Sequence, residues 1–380
     1  MSAVIETAAL RSAVRAAAAV TERRNSIPIL GCVRVRADAD GVAITATDMD
    51  ISITTRAPVQ TAGELDVAVP AGRLTRVLTA LDTGTITLTP KGKDLEFTAG
   101  ETTGGLYGFP VEDIPVVSAD FPKARTFTMP ADALRAVLAN TLIAVSTEET
   151  RYYLNGVYLH GRETHAGTRA LTGVATNGHV MSQQDAPLPP AASEAFPVGP
   201  AAGYILPRKS AGLLLRMLST ESGDRVEVAI DSNRTKVRFR LADDTELISR
   251  FIDGTFPDYE RVVPRNFTGN AKVGRRDLLA ALRRVSAMCE GKHRHVLLRF
   301  DGTRLGVMTK GEEGGHAYTA IPTVSTHPIE IGVNAAYLRT LLAASDAEVT
   351  VISYSDHANP LLLQGESEPA LRQVIMPVRI

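Results

Sequence analysis

Basic side chains gather in six segments of this chain, and acidic ones are nearly missing from them. In and beside these segments stand Arg11, Arg15, Arg23, Arg24, Arg73, Arg76, Arg135, Arg208, Lys209, Arg216, Arg275, Arg276, Arg283, Arg284 and Arg339. Only Glu22, Asp132 and Asp277 oppose them, and the two aspartates sit near helix starts, where the helix dipole favours negative charge. One such segment would be an ordinary solvated helix face. Six of them favour a surface that neutralises phosphates. The carboxylates concentrate elsewhere, at Asp48, Asp50, Glu148, Glu149, Asp243, Asp244, Glu312 and Glu313. The net charge is only −1, so the whole chain is not of the basic type; the asymmetry is internal.

Other chemistry is poorly supported. There is no glycine-rich phosphate loop, no Gly-x-Ser-x-Gly elbow and no His-Glu-x-x-His. His293 and His295 alternate as on one strand face but lack a third ligand, so no metal site is expected. Asp48 and Asp50 have the same spacing and read as solvated carboxylates rather than an acid/base pair. Cys32 and Cys289 are far apart, as expected for small buried hydrophobes in a reducing cytoplasm. The expectation is a non-catalytic protein with no cofactor and no membrane span.

The elements that position the arginines recur three times. A first helix reads Ala9-Leu10-Arg11-Ser12-Ala13-Val14, then Ala133-Leu134-Arg135-Ala136-Val137-Leu138, then Leu279-Ala280-Ala281-Leu282-Arg283-Arg284-Val285. Apolar strands follow, two of which end alike at Ala46-Thr47-Asp48 and Ala175-Thr176-Asn177; Val307-Met308-Thr309-Lys310 is a looser third. A second helix then reads Arg73-Leu74-Thr75-Arg76-Val77-Leu78, Leu213-Leu214-Leu215-Arg216-Met217-Leu218 and Tyr337-Leu338-Arg339-Thr340-Leu341-Leu342. The period is that of a domain, not of a solenoid repeat.

Proline-punctuated stretches at Phe109–Pro115 and Phe256–Pro264 mark the joints. They give domains at 1–122, 123–263 and 264–380, each an α+β unit of a sheet with two helices. Val42–Thr45 and Arg234–Arg240 alternate as half-buried strands do, and the Pro/Ala-rich stretch from Ala186 to Gly203 reads as a surface loop.

Several motifs, in order, resemble one family: Arg24-Asn25-Ser26-Ile27-Pro28-Ile29-Leu30, Arg151-Tyr152-Tyr153-Leu154-Asn155-Gly156, Ala175-Thr176-Asn177-Gly178-His179, Phe256-Pro257-Asp258-Tyr259 and Met376-Pro377-Val378-Arg379-Ile380. The chain is similar over its whole length to the bacterial DNA polymerase III β subunit, the replicative sliding clamp. The resemblance implies a DNA clamp fold in which two three-domain crescents close into a homodimeric ring, with helices lining the hole. Phosphates would be met by basic side chains without base readout. It places DNA contacts at Arg24, Arg73, Tyr152, Tyr153, Arg208 and Lys209. It places a pocket for a short linear peptide of the polymerase catalytic subunit, clamp loader and repair proteins at Leu154, Thr176, Gly178, His179, Val180, Met181, Pro257, Arg261, Val262, Val374, Met376, Pro377, Val378 and Arg379. An apolar cleft with a few polar groups suits such a peptide.

Three departures stand out. Asn177-Gly178-His179-Val180-Met181 replaces the family's usual Asp-Gly-His-Arg-Leu, which removes an arginine from the pocket. Gly104-Gly105 replaces an aromatic near the subunit contact, facing Ala287 and Met288 of the other subunit, and less buried apolar area implies a looser dimer. The near-neutral charge departs from an acidic family. These leave open an accessory or inhibitor-tolerant clamp copy, beside a DNA-processing enzyme on a repeated scaffold.

Overall fold

The computed structural model describes all residues except 1, 23–25, 39–40, 62, 83, 116, 119–120, 122, 165–166, 200–201, 219–222, 289–294, 311–314 and 380. The first third of the chain runs β1 (Ala3–Glu6), α1 (Thr7–Ala18), β2 (Cys32–Asp38), β3 (Gly41–Thr47), β4 (Ile51–Ala57), β5 (Val59–Thr61) and β6 (Leu65–Pro70). It continues with α2 (Ala71–Ala80), β7 (Thr85–Lys91), β8 (Asp94–Ala99) and β9 (Thr102–Leu106). The middle third holds β10 (Arg125–Pro130), α3 (Ala131–Leu142), β11 (Gly156–Glu163), β12 (Arg169–Thr176), β13 (Val180–Pro187) and β14 (Tyr204–Pro207). After these come α4 (Arg208–Leu218), β15 (Arg225–Ile230), β16 (Lys236–Arg240) and β17 (Glu246–Arg250). The last third holds β18 (Gly269–Gly274), α5 (Arg275–Ser286), β19 (His295–Phe300), β20 (Arg304–Lys310), β21 (His316–Ser325) and β22 (Ile329–Asn334). It closes with α6 (Ala335–Ala344), β23 (Val349–Tyr354), β24 (Leu361–Gly365) and β25 (Glu368–Ile375).

All six helices fall where the sequence pattern places them. In α1 the buried positions Leu10, Ala13, Val14 and Ala17 follow the three-to-four spacing of one helix face. In α5 Leu278, Ala281, Leu282 and Val285 do the same. That geometry leaves Arg15 of α1 and Arg283 and Arg284 of α5 exposed. Asn334 caps α6, its Oδ1 accepting from the backbone N–H groups of Ala336 and Tyr337. No helix among the described residues is long and apolar enough to cross a membrane.

The chain forms two compact units. One comprises Met1–Asp132 with Gly212–Phe251. It contains a five-stranded sheet in the order β5-β1-β7-β8-β9 and an eight-stranded sheet, β10-β15-β16-β17-β4-β3-β2-β6. The other comprises Ala133–Ala211 with Ile252–Ile380. It contains one twelve-stranded sheet, β14-β11-β12-β13-β25-β24-β23-β18-β21-β20-β19-β22. Each large sheet draws strands from two successive repeats. The antiparallel pair β17–β4, with Ser249 opposite Ile51, joins the first two. The pair β13–β25, with Val180 opposite Ile375, joins the last two.

Two local expectations change. Asp48 and Asp50 lie in the turn between β3 and β4, not on a strand: Asp48 Oδ1 accepts from the N–H groups of Asp50 and Ile51 at 3.1 and 2.8 Å. The Ala186–Gly203 stretch is irregular but packed, with Ala192, Ala195 and Phe196 buried and Tyr204 Oη donating to the Ala195 carbonyl at 2.8 Å. Two of its alanines and Phe196 anchor it. His295 opens β19, whereas Cys289 and His293 lie outside the described residues.

Candidate functional site

The basic helices divide into arginines that face outward and arginines used inside the fold. Arg73 and Arg76 on α2, Arg216 on α4, and Arg276, Arg283 and Arg284 on α5 are exposed. Arg208 at the start of α4 is exposed and Lys209 half-buried. Arg11 behaves differently. Its Nε and Nη2 each donate at 2.6 Å, to the carbonyls of Leu78 and Leu81, where α2 ends. Arg275 repeats this in the third copy, donating through Nε to the Ala347 carbonyl at 2.7 Å and through Nη1 to the Leu342 carbonyl at 3.4 Å, where α6 ends. These two guanidiniums satisfy carbonyls left open by a helix C-terminus and complement its negative dipole end. Their charge is therefore partly spent on the fold.

The paired tyrosines also separate. Both lie in a 3-10 segment, Glu149–Leu154, with their rings edge-on at 5.8 Å. Tyr152 is 54% exposed, while Tyr153 packs against the core cluster of Leu154, Tyr158 and Phe256. Arg24 lies outside the described residues.

The second candidate site is a cavity of about 190 Å³ lined by Leu154, Thr176, Gly178, His179, Val180, Met181, Pro257, Asp258, Tyr259, Val262, Val374 and Met376. It arises at the β13–β25 joint. Buried Leu154, Met181, Tyr259 and Val374 form its apolar floor, and Val262 (45% exposed) and Met376 (37%) stand at its rim. The turn from Thr176 to Val180 makes one wall. Thr176 Oγ1 donates to the Val180 carbonyl at 2.7 Å, and Gly178 N–H donates back to Thr176 Oγ1 at 3.1 Å. Asn177 Oδ1 accepts from the N–H groups of His179 and Val180 at 2.9 and 3.0 Å. Asparagine here does the acceptor's work of an aspartate without its charge. Gly178 sits at φ 88°, and an added Cβ would come 2.8 Å from Arg151 Nη1. A guanidinium beside this turn thus comes from the Glu149–Leu154 segment, where Arg151 is tied to Glu148 through Nε at 2.8 Å.

The cavity brings together most of the expected pocket residues but not all. Arg261 is exposed, its Nε donating to Asp258 Oδ2 at 2.9 Å, and it does not line the cavity. Met376 N–H donates to the His179 carbonyl at 2.9 Å, and the chain then turns toward β22, where Val378 N–H reaches the Gly332 carbonyl at 2.9 Å. This route takes Pro377, Val378 and Arg379 away from the cavity wall. Asp258 and Tyr259 were not among the expected lining residues, although both belong to the Phe256–Tyr259 motif. Val180, at the position of the missing arginine, is 4% exposed and pairs with Ile375, so it contributes apolar wall only.

Behind the cavity lies an aromatic stack. The rings of Phe256 and Tyr158 are parallel at 4.8 Å, Tyr158 stacks on His160 at 5.1 Å, and His160 meets Tyr259 at 5.7 Å. Burial lowers the His160 pKa from its ordinary value and raises that of Tyr259, since each charged form would lose its hydration. Burial likewise pushes the Cys32 thiol up to about 11, which leaves it unreactive. Among the described residues no group of three or more histidine, cysteine or acidic side chains could hold a metal ion.

The sequence matches family descriptions for the DNA polymerase III beta subunit in three consecutive pieces: the N-terminal domain over residues 1–118, the central domain over 128–258 and the C-terminal domain over 260–379. It is 33% identical over 387 residues to the beta sliding clamp of Caulobacter vibrioides, covering 100% of both chains. It is 27% identical to that of Rickettsia bellii, covering 99% of each. Among solved structures, the sliding clamp from Bartonella birtlesii bound to griselimycin superposes with a TM-score of 0.91 at 32% identity over 100% of both chains. A Caulobacter crescentus beta sliding clamp gives 0.89 at 32% identity, also over 100% of both.

Proposed function

Because this chain belongs to the DNA polymerase III beta subunit family, the bacterial sliding clamps, we propose specific roles for its exposed arginines and for the apolar cavity at the β13–β25 joint. The observation that carries the functional reading is the three family domains in consecutive order, over residues 1–118, 128–258 and 260–379. The protein is a sliding clamp that encircles duplex DNA as a homodimer and tethers the replicative polymerase. We take its part in synthesis to be non-catalytic and its place of action to be the cytoplasm. The three repeats are assigned to 1–122, 123–263 and 264–380, with each large sheet shared across a boundary.

DNA is held by topology and charge. Arg24, Arg73, Tyr152, Arg208 and Lys209 are assigned to the phosphate-facing surface; exposed Arg73 on α2 and Arg208 on α4 support this, since such cations neutralise backbone charge without reading bases. Tyr153, packed on the core, acts there by supporting Tyr152. The cavity at Leu154, Met181, Val262, Val374 and Met376 is assigned to a short peptide segment of the polymerase, loader or repair proteins. Its apolar floor and polar turn support that reading. The Bartonella clamp is bound to griselimycin, and we assign that ligand to the same cavity here.

The subunit contact is assigned to β9, the edge strand of its sheet, which carries Gly104 and Gly105. An edge with open backbone groups accepts a strand from another chain. On the other subunit, the partner's Ala287 and the partner's Met288 would face it.

A retention assay tests the whole reading. Loaded onto nicked circular DNA by a clamp loader, the protein should stay bound through gel filtration at high salt and be lost when the circle is linearised. Equal loss from circular and linear DNA would overturn it.

A further inference from the structure

The hydrogen bonds of His160 point to a role one layer behind the cavity. His160 lies on β11, is 4% exposed, and uses both ring nitrogens. Nδ1 is 2.9 Å from the Gly161 carbonyl, which can only accept, so Nδ1 carries the proton. In the neutral ring Nε2 is then an acceptor, and it takes the hydroxyl of Tyr259 at 2.9 Å. Tyr259 is itself part of the cavity lining and 3% exposed. Its backbone belongs to a single 3-10 turn, Tyr259–Arg261, so little regular structure holds the side chain in place.

We infer that His160 is a positioning residue for partner binding: as a neutral acceptor it fixes Tyr259 in the wall of the cavity. This rests on the assignment of that cavity to the partner peptide. The packing supports it from the other side, because His160 is stacked on Tyr158, which is stacked on Phe256, the residue before Pro257 at the cavity. Hydrogen bond and stack together tie both ends of the Phe256–Tyr259 segment to β11.

With Nδ1 protonated, the neutral imidazole is the acceptor for Tyr259. A second ring proton would reverse that bond, Nε2 then donating to the tyrosine oxygen, and would leave the hydroxyl proton without its acceptor and a charge buried beside the ring stack. Burial is the largest influence on His160 and disfavours the second proton; of the charges facing it, Asp185 on β13 and Glu260 beside the tyrosine favour that proton and Arg162 on the same strand opposes it. Asp185 is paired with Arg162, and Glu260 with Arg265 at 3.4 Å. Partner affinity should therefore fall as the imidazole is protonated, below its ordinary titration range.

The experiment is calorimetric titration of the full-length dimer with griselimycin between about pH 5 and pH 8, a range that spans histidine titration. Four proteins are compared: wild type, His160→Gln, Tyr259→Phe and Met181→Glu. Glutamine keeps an acceptor for the tyrosine but cannot be protonated. Wild type should bind about tenfold more weakly at the acid end, the worth of one buried hydrogen bond. His160→Gln should bind as wild type does at neutral pH and stay flat on acidification. Tyr259→Phe, which loses one oxygen and no packing, should be weak at every pH. Parallel profiles for wild type and His160→Gln, or wild-type affinity in Tyr259→Phe, would overturn the role of His160. Undiminished binding by Met181→Glu would instead overturn the cavity assignment, and this inference with it.

Discussion

Met49 and Gly178 hold the same backbone conformation in two copies of one turn, with φ at 83° and 88°. The hydrogen bonds agree as closely. Thr47 Oγ1 donates to the Ile51 carbonyl at 2.8 Å and accepts from Met49 N–H at 3.0 Å, as Thr176 does with Val180 and Gly178. At the next position the Asp50 carbonyl accepts from Arg250 N–H at 2.9 Å, and the His179 carbonyl from Met376 N–H at 2.9 Å. The repeat is thus preserved at the level of single hydrogen bonds, at both joints. What differs is the filling. In the first repeat Phe109, Val111 and Ile114 of the linker pack against Ile29 and Leu30. At the second joint, Val262 stays half outside and a cavity remains.

Met49 is a non-glycine residue in the left-handed region and is 49% exposed, so little packing compensates its strain. Relief of that strain outweighs the entropy cost of glycine, and Met49→Gly should stabilise the protein by up to about 1 kcal/mol. The midpoint of urea unfolding should rise with an unchanged slope. Gly178→Ala should do the opposite, since its Cβ would be strained and would push Arg151 aside.

Gly104 of β9 is covered from within. A Cβ at Gly104 would lie 2.6 Å from Phe97 Cζ on β8, so the Phe97 ring occupies the space over Gly104. Gly104→Ala should therefore displace a ring that is only 9% exposed, costing about 1–3 kcal/mol and weakening the dimer in sedimentation equilibrium. After Phe97→Ala the same change should be nearly neutral, because the two share one space.

Stability should fall on the acid side. The folded pKa of His160 lies below its ordinary 6.5, so above that pH the group costs folding nothing. As pH drops through that value, the unfolded chain takes up the proton first, and stability declines until the folded pKa is reached. Thermal melts should show a steeper loss over this interval for wild type than for His160→Gln. Equal slopes would mean another group controls the acid limb.

Salt dependence should separate the two kinds of arginine. Arg73→Ala should lower the slope of log affinity against log salt for duplex DNA by about 1. Arg11→Ala should leave the slope nearly unchanged but cost about 1.5–3 kcal/mol of stability, since it strips charged hydrogen bonds from the end of α2.

The helices were legible because their apolar spacing is strong and recurs in order, as at Leu10, Val14 and Ala17. The Thr47 and Thr176 turns were legible as matching letters, although Asp48 and Asp50 read as strand residues, because a two-residue spacing does not distinguish a strand from an Asx turn. Much of the cavity could be placed by motif. Tyr259 escaped as lining because its position depends on His160, ninety-nine residues away in sequence. That Arg261 and Arg379 lie outside the cavity lining was hidden for a related reason. A motif gives a residue's place in the chain but not the direction the chain takes, and after Met376 it turns to β22. The internal use of Arg11 and Arg275 was equally hidden, since a charge count cannot show which guanidinium faces a carbonyl.

The sharing of sheets between repeats has a consequence for synthesis on the ribosome. The first unit cannot complete its eight-stranded sheet until β17 has emerged, by which time all of the residues between Asp132 and Gly212 are already outside. β13 must then wait with one edge bare until β25, the last strand, is made. Domains that close in order of translation limit such exposure; here closure lags a full repeat behind the growing chain. The nascent clamp therefore passes through a stage in which an unpaired strand edge of the unfinished second unit is open to other chains. Chaperone protection should be needed most between the emergence of β13 and of β25.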